Sequence, residues 1–284
     1  MLFLIYGGKG WIGSQFIELL KNKKIKYILG KERVNDKKLI EEEVKNIKPT
    51  HVLSFIGRTS GGNYNTIDYL EDNLYENVRD NLFSPIILSL LSHKYNYHFS
   101  YLGTGCIFDY DKTEDNNYNY NSIKKNEDDI PNFYGSSYSI VKGFTDELLH
   151  LQNVLNFRIR MPISSKKHIK NFITKITNYE YICSIPNSMT ILDELLPIML
   201  DLIIKKHIGT INLVNPGVIS HNEILESYKQ IVDNNFKWKN FSIDEQNKIL
   251  KSKRSNNHLD TKLLESLYKV ENIKTGIIKI LKKY

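Results

Sequence analysis

A short apolar run, Leu2–Tyr6, leads directly into Gly7-Gly-Lys-Gly10-Trp-Ile-Gly13, and an amphipathic stretch with Ile12, Phe16, Leu19 and Leu20 on one side follows. No other stretch limits the fold as strongly. A buried strand, a turn needing glycine at three fixed positions and a helix opening at once behind it form the first half of a βαβ unit. The glycines allow a tight turn and close backbone approach, and the N–H groups that open a helix are donors for a pyrophosphate. Gly7, Gly10 and Gly13, with Trp11 and Ile12 on the first helical turn, are therefore the candidate dinucleotide-binding residues.

Strand-like and helix-like segments keep alternating. Ile25–Leu29 reads as a second strand, Asp36–Ile47 as a polar helix and His51–Phe55 as a third strand. Thr66–Tyr95 is mostly helical, with a bend expected at Pro85; Asn77 and Asn81 on it suit either surface positions or pins for neighbouring loops. His98–Leu102 and Val154–Arg160 complete the strand set of the first half. This alternation predicts an α/β fold, a Rossmann-like doubly wound parallel sheet over residues 1–162. Beyond residue 163 strands become sparse. Helices are expected at 171–176, 190–204, 221–233, 242–251, 260–267 and 274–283, which suits a smaller, mostly helical substrate-binding lobe over 163–284. One late strand, 209–214, is placed to return to the main sheet.

After the second strand the chain reads Gly30-Lys-Glu-Arg33. An NAD-selective site usually carries a carboxylate here for the ribose 2′-hydroxyl. Lys31 and Arg33 would instead welcome a 2′-phosphate, which points to NADPH, with NADH the alternative should Glu32 turn inward.

Reaction chemistry centres on two further stretches. Tyr138-Ser-Ile-Val-Lys142 places a phenol and an ammonium four residues apart, on one face of a helix. The pattern also occurs at Tyr27/Lys31 and Tyr120/Lys124, in a short strand and an Asn-rich loop, where no rigid helical face is offered. Leu102-Gly-Thr-Gly-Cys-Ile-Phe108 supplies the Thr104 hydroxyl where a buried strand runs out. A hydroxyl and a phenol hold a carbonyl oxygen, and a lysine tunes the phenol. In extended backbone, side chains two apart share a face, so Cys106 is expected to point with Thr104. The polar, acidic stretch 109–132 is placed as a surface excursion over this site.

Composition removes several function classes. With 41% hydrophobic and 25% charged residues the chain is of globular type. Its longest apolar stretch, Ile191–Ile204, is broken by Asp193, Glu194, Pro197 and Asp201, so it reads as a buried helix and not as a membrane span. Two cysteines make no disulfide framework, which suits a reducing cytoplasm. The net charge of +7 is scattered over many lysines; a cleft for anionic nucleotides accounts for it without nucleic acid. The eight histidines show no metal-ligand spacing, so no metal is expected.

The motifs Gly7-x-x-Gly10-x-x-Gly13, Thr104 and Tyr138-x-x-x-Lys142 resemble the extended short-chain dehydrogenase/reductases that act on nucleotide sugars. Leu102–Phe108, Ser137–Gly143, Arg158–Pro162, Asn171–Lys175 and Arg254–Asn257 resemble, more narrowly, the bifunctional 3,5-epimerase/4-reductases of UDP-L-rhamnose synthesis in plants and giant DNA viruses. This resemblance implies a UDP-4-keto-6-deoxy-D-glucose substrate supplied by a separate 4,6-dehydratase, and it implies roles for several residues. It assigns Cys106 and Lys175 as the epimerising acid/base pair and Lys142 as the partner of Tyr138 and of the nicotinamide ribose. It also implies Asn171, Arg254 and Asn256 as substrate contacts, and a homodimer by analogy. A monofunctional dTDP/UDP-4-dehydrorhamnose reductase and a non-catalytic NADP(H)-sensing protein on the same fold remain open here.

Overall fold

The computed structural model describes all residues of the chain except Glu32, Asp115, Asn116 and Ser122; the inward turn considered for Glu32 lies outside the described residues. Strands β1 (Phe3–Tyr6), β2 (Tyr27–Leu29), β3 (His51–Ser54), β4 (His98–Thr104) and β5 (Leu155–Ile159) pair in parallel, as does β7 (Gly209–Asn212) with β5. The order is β2-β1-β3-β4-β5-β7. The chain reverses its direction of progress between β1 and β3, and ligand crevices in such sheets open at the carboxyl ends of the strands at that point.

Both faces of the sheet are covered, which is why its strands are apolar throughout and not alternating. Phe3 and Ile5 pack with α1 (Trp11–Asn22) and α7 (Leu192–Ile204). Leu4 and Tyr6 face the other layer, made of α2 (Lys37–Ile47), α4 (Ser84–Tyr95) and α5 (Ser137–His150). Both β7 and α7 come from beyond residue 163, so the main sheet and its first helical layer draw on both halves of the chain. A third core joins α6 (Phe172–Ile176), α8 (His221–Ile231) and α11 (Ile273–Leu281). Beside it lies a two-stranded parallel sheet of β6 (Tyr181–Ile182) and β8 (Lys239–Asn240), too short to leave a periodic signal.

The bend expected at Pro85 takes the form of a π-helical turn, Arg79–Phe83, just ahead of it. Proline has no N–H for the carbonyl of Asn81 four residues back. That carbonyl instead accepts from the Thr145 hydroxyl on α5 at 2.6 Å. Asn77 and Asn81 are fully buried and not surface polars. The Asn81 amide donates to the Arg58 carbonyl at 2.9 Å and accepts from the Arg58 N–H at 2.9 Å, pinning the loop after β3.

The excursion 109–132 is anchored, not loose. Asn212 donates to the Lys125 carbonyl, Lys125 bridges to Leu259, and Arg158 donates to the Asn126 carbonyl. No described helix is long and apolar enough to cross a membrane.

Arg158 on β5 and Asp146 on α5 form a buried pair, Nη2 to Oδ2 at 2.6 Å, with Asn156 donating to the same carboxylate at 2.7 Å. Removing one member of such a pair strands the other charge in the core. Arg158→Met is expected to cost about 3–5 kcal/mol in urea unfolding, and adding Asp146→Leu should recover much of that loss.

Candidate active site

The glycine loop needs its glycines for space. Gly7 has φ +71°, and a Cβ there would sit 2.8 Å from the Phe55 carbonyl carbon at the end of β3. A Cβ on Gly13 would lie 2.6 Å from the Gly7 oxygen, so α1 is drawn tightly onto the turn. No side chain caps α1, which leaves its first N–H groups to an outside acceptor. Trp11 stacks on His168 with centroids 5.4 Å apart, tying the glycine loop to the loop before α6.

A cavity of about 440 Å³ opens at these strand ends, lined by Gly7, Gly10, Gly30, Arg33, Ile56 and Lys170 among others. Arg58 and Arg79 also line it, both engaged by Asp80, at 2.6 and 2.7 Å. Arg33 lines the cavity and makes no ion pair with a described carboxylate. Lys31 does not line it: its N–H donates to Glu43 and its side chain is exposed. The cradle, the uncapped helix and Arg33 fit a dinucleotide carrying a 2′-phosphate, and of the expected cations Lys31 and Arg33 it is Arg33 that lines the cavity. Sequence reasoning did not find Lys170, which reaches this cavity from a loop of the other half of the chain.

Strand β4 runs to Thr104, two residues past its expected end, and Thr104 is buried. Cys106 is not on extended backbone as expected. Thr104 Oγ1 accepts the Cys106 N–H at 3.1 Å, which closes a turn. Alternation therefore does not govern the direction of Cys106, which nonetheless lies near enough to Tyr138 and Lys142 for its charge to act on both. Tyr138 is buried in the first turn of α5, capped by Ser136, with its phenol close to the Thr104 hydroxyl. Burial raises its phenol above the ordinary value, and a charge on Cys106 would add to that rise. Lys142, one turn on, is pulled down to about 7 by burial, against the opposing pull of Asp146 and Cys106. Thr104, Cys106, Tyr138 and Lys142 thus form one cluster.

Lys175 is partly buried in the last turn of α6, not on a solvated face. Burial lowers its proton affinity, and the nearby positive charges of Lys170 and Arg254 lower it further. Arg254 pairs with Asp68 at 2.5 Å and donates to the Ser252 carbonyl. Asn171 and Asn256 are placed differently from expectation. Asn171 is fully buried, caps α6 and donates to the Ser164 and Lys166 carbonyls. Asn256 accepts from Asn187 and donates to the Arg254 carbonyl and the Tyr118 hydroxyl. With these partners both amides are engaged by the scaffold.

Residues missed by sequence reasoning hold the Cys106 turn from below. Asn257 donates to the carbonyls of Gly105 and Phe108, each at 2.9 Å. The buried Arg160 guanidinium donates to Gly105, Ser255 and Asn187. The Arg254–Asn257 segment is thus mostly the floor of the reaction centre. No group of three metal-ligating side chains occurs among the described residues.

No protein-family model matches the chain. It is similar to the UDP-rhamnose synthase of Acanthamoeba polyphaga mimivirus, whose crystal structure superposes with a TM-score of 0.95 at 49% identity, covering 100% of this chain and 99% of that one. A bifunctional dTDP-4-dehydrorhamnose 3,5-epimerase/reductase of Arabidopsis thaliana is 42% identical over 280 residues, 98% of this chain and 91% of that protein. A trifunctional 4,6-dehydratase/3,5-epimerase/reductase of the same plant is 41% identical over 280 residues, and there the match spans 41% of the longer protein. The dTDP-4-dehydrorhamnose reductase of Clostridium acetobutylicum shares the fold, with a TM-score of 0.79 at 17% identity. The chain belongs to the family of rhamnose-forming 3,5-epimerase/4-reductases built on the short-chain dehydrogenase/reductase fold.

Proposed function

We propose that the chain converts UDP-4-keto-6-deoxy-D-glucose to UDP-L-rhamnose by 3,5-epimerisation and NADPH-dependent reduction of the C4 ketone. The observation that carries this reading is the cluster at the end of β4, where Thr104 lies beside the Tyr138 phenol and holds the turn that carries Cys106, with Lys142 one helical turn further along α5.

The hydrogens on C3 and C5 are both alpha to the ketone, so loss of either gives an enolate whose oxygen needs donors already in place. Thr104 and Tyr138 supply them. Inversion removes a proton from one face and returns one on the other, which calls for two acid/base groups. Cys106 takes one side. Lys175 takes the other, because its lowered proton affinity gives it more of the neutral, basic form.

In the reductive step bound NADPH supplies the hydride that C4 receives. Gly7, Gly10, Gly13 and the opening of α1 hold the pyrophosphate, and Arg33 and Lys170 add positive charge around the cavity. Tyr138, kept protonated by burial, gives its proton to the C4 oxygen. Lys142 holds the phenol and stabilises the phenolate left behind. Arg254, fixed on one edge by Asp68, is the substrate-side cation beside Lys175. The same reading puts the enzyme in a reducing cytoplasm, where Cys106 stays a thiol, and downstream of a separate 4,6-dehydratase. It extends to a homodimer formed through the apolar side chains exposed near α4 and α5, among them Phe83, Leu90, Phe144 and Leu148.

Proton NMR of UDP-4-keto-6-deoxy-D-glucose in heavy water without NADPH should show the C3 and C5 signals disappear. No exchange, with reduction seen only on the pre-epimerised ketosugar, would leave a plain reductase. Cys106→Ser should abolish turnover of the unepimerised substrate while leaving reduction of the pre-epimerised one within about threefold, since a hydroxyl is a far poorer base than a thiol at neutral pH.

The lysine gives a stability prediction as well. Its native pKa of about 7 lies below the unfolded value of 10.5, so the unfolded chain holds more protons between those limits. The cost of burying the ammonium is present in full below about pH 7 and is relieved as pH rises. Thermal unfolding should therefore find Lys142→Met more stable than the parent near about pH 6, with the gap narrowing toward about pH 9.5.

A further inference from the structure

Alternate residues of β4 face opposite layers, and Phe99 and Tyr101 point to the layer that holds α5. The helix runs back along the strand that precedes it. The first turn of α5, with Tyr138, therefore lies at the carboxyl end of β4, where the strand runs out at Thr104, and a residue earlier on the α5-facing side of β4 must meet Lys142 one turn later. That residue is Tyr101. Three strand residues span about 10 Å and four helical residues about 6 Å, a difference that the long lysine side chain closes.

The Lys142 ammonium donates to Tyr101 Oη at 2.5 Å, and the same nitrogen lies 4.4 Å from the centroid of the Tyr101 ring. Lys142 is 4% exposed and Tyr101 is 1% exposed. No described carboxylate lies within 4 Å of the ammonium. Asp146, one turn further along α5, is engaged by Arg158 and Asn156. A buried cation without a carboxylate is costly, and here a phenol oxygen and the face of its ring compensate it from behind the sheet.

We propose that Tyr101 is a positioning residue of the reaction: it holds the Lys142 ammonium behind Tyr138 and stabilises its charged form. This inference rests on the reductase reading of Tyr138 and Lys142. The groups around the ammonium are Tyr101 on β4, Asp146 on α5, Cys106 on the turn after β4 and, through Asp146, Arg158 on β5, with Tyr138 acting on Tyr101. An acceptor for the ammonium raises its hold on the proton. Without that acceptor the lysine loses its charge at lower pH, and Tyr138 then gives up its proton to C4 oxygen less readily.

Tyr101→Phe keeps the ring and its packing and deletes one oxygen, so the fold should survive, as thermal unfolding can verify. The test follows kcat and the KM for NADPH against pH, with the pre-epimerised 4-ketosugar as substrate. The basic limb of kcat is expected to move down by about one pH unit, the size of a lost hydrogen bond to a charged group. At neutral pH kcat should fall about tenfold and the KM for NADPH should stay within about twofold. A basic limb that stays where it is in the wild type overturns the proposal, whether or not the rate falls uniformly. A wild type that fails to reduce the ketosugar overturns the reductase reading, and this inference with it.

Discussion

The antiparallel contact of α5 with β4 is the constraint on which the chemistry depends. It aligns two oxygen-bearing side chains on a strand, Tyr101 and Thr104, with a nitrogen and a phenol on a helix, Lys142 and Tyr138. Neither element could hold this geometry alone. Strand β4 is fixed by parallel pairing with β3 and β5. Helix α5 is fixed by the Thr145 hydroxyl under the π turn of the neighbouring helix and by the Arg158–Asp146 pair. The two catalytic pairs are therefore held by the core of the sheet and not by surface loops, as pre-organised donors require.

Two halves of the chain meet at the reaction centre. The turn carrying Cys106 rests on Asn257 and Arg160, and Lys175 lies beside Arg254, which is itself held by Asp68. An epimerising acid/base pair must approach a sugar from opposite sides. A single sheet edge offers one side only. In the proposed reaction the helical part of the chain supplies the second through Lys175, and the Trp11–His168 stack and Lys170 join it to the cofactor side.

Buried charge recurs throughout this arrangement. Arg158, Arg160 and Lys142 are all removed from solvent, yet only Arg158 has a carboxylate partner among the described residues. Arg160 and Lys142 instead rely on neutral oxygens, and both lie around the cluster where negative charge would develop on substrate, phenol or thiol. Cations held by neutral acceptors keep their field available to such an anion, whereas a bound carboxylate would cancel it.

The sequence alone determined those features that local spacing encodes. Gly7, Gly10 and Gly13 announce a strand–turn–helix because backbone clearance is a local need. Tyr138 and Lys142 share a face because a helix repeats every 3.6 residues, and the apolar strands announce a sheet covered on both sides. Tertiary structure decided the rest. Cys106 turns back because its N–H meets Thr104, which defeats the alternation that extended backbone would impose. The partners of Lys142, Arg254 and Gly105 lie 41, 186 and 152 residues away, and no periodicity reaches that far. Asn171 and Asn256 could be recognised as important from sequence, but only the fold reveals that their amides close the scaffold. A side chain's chemical type is written in the sequence, whereas its partner is set by which elements the sheet brings together.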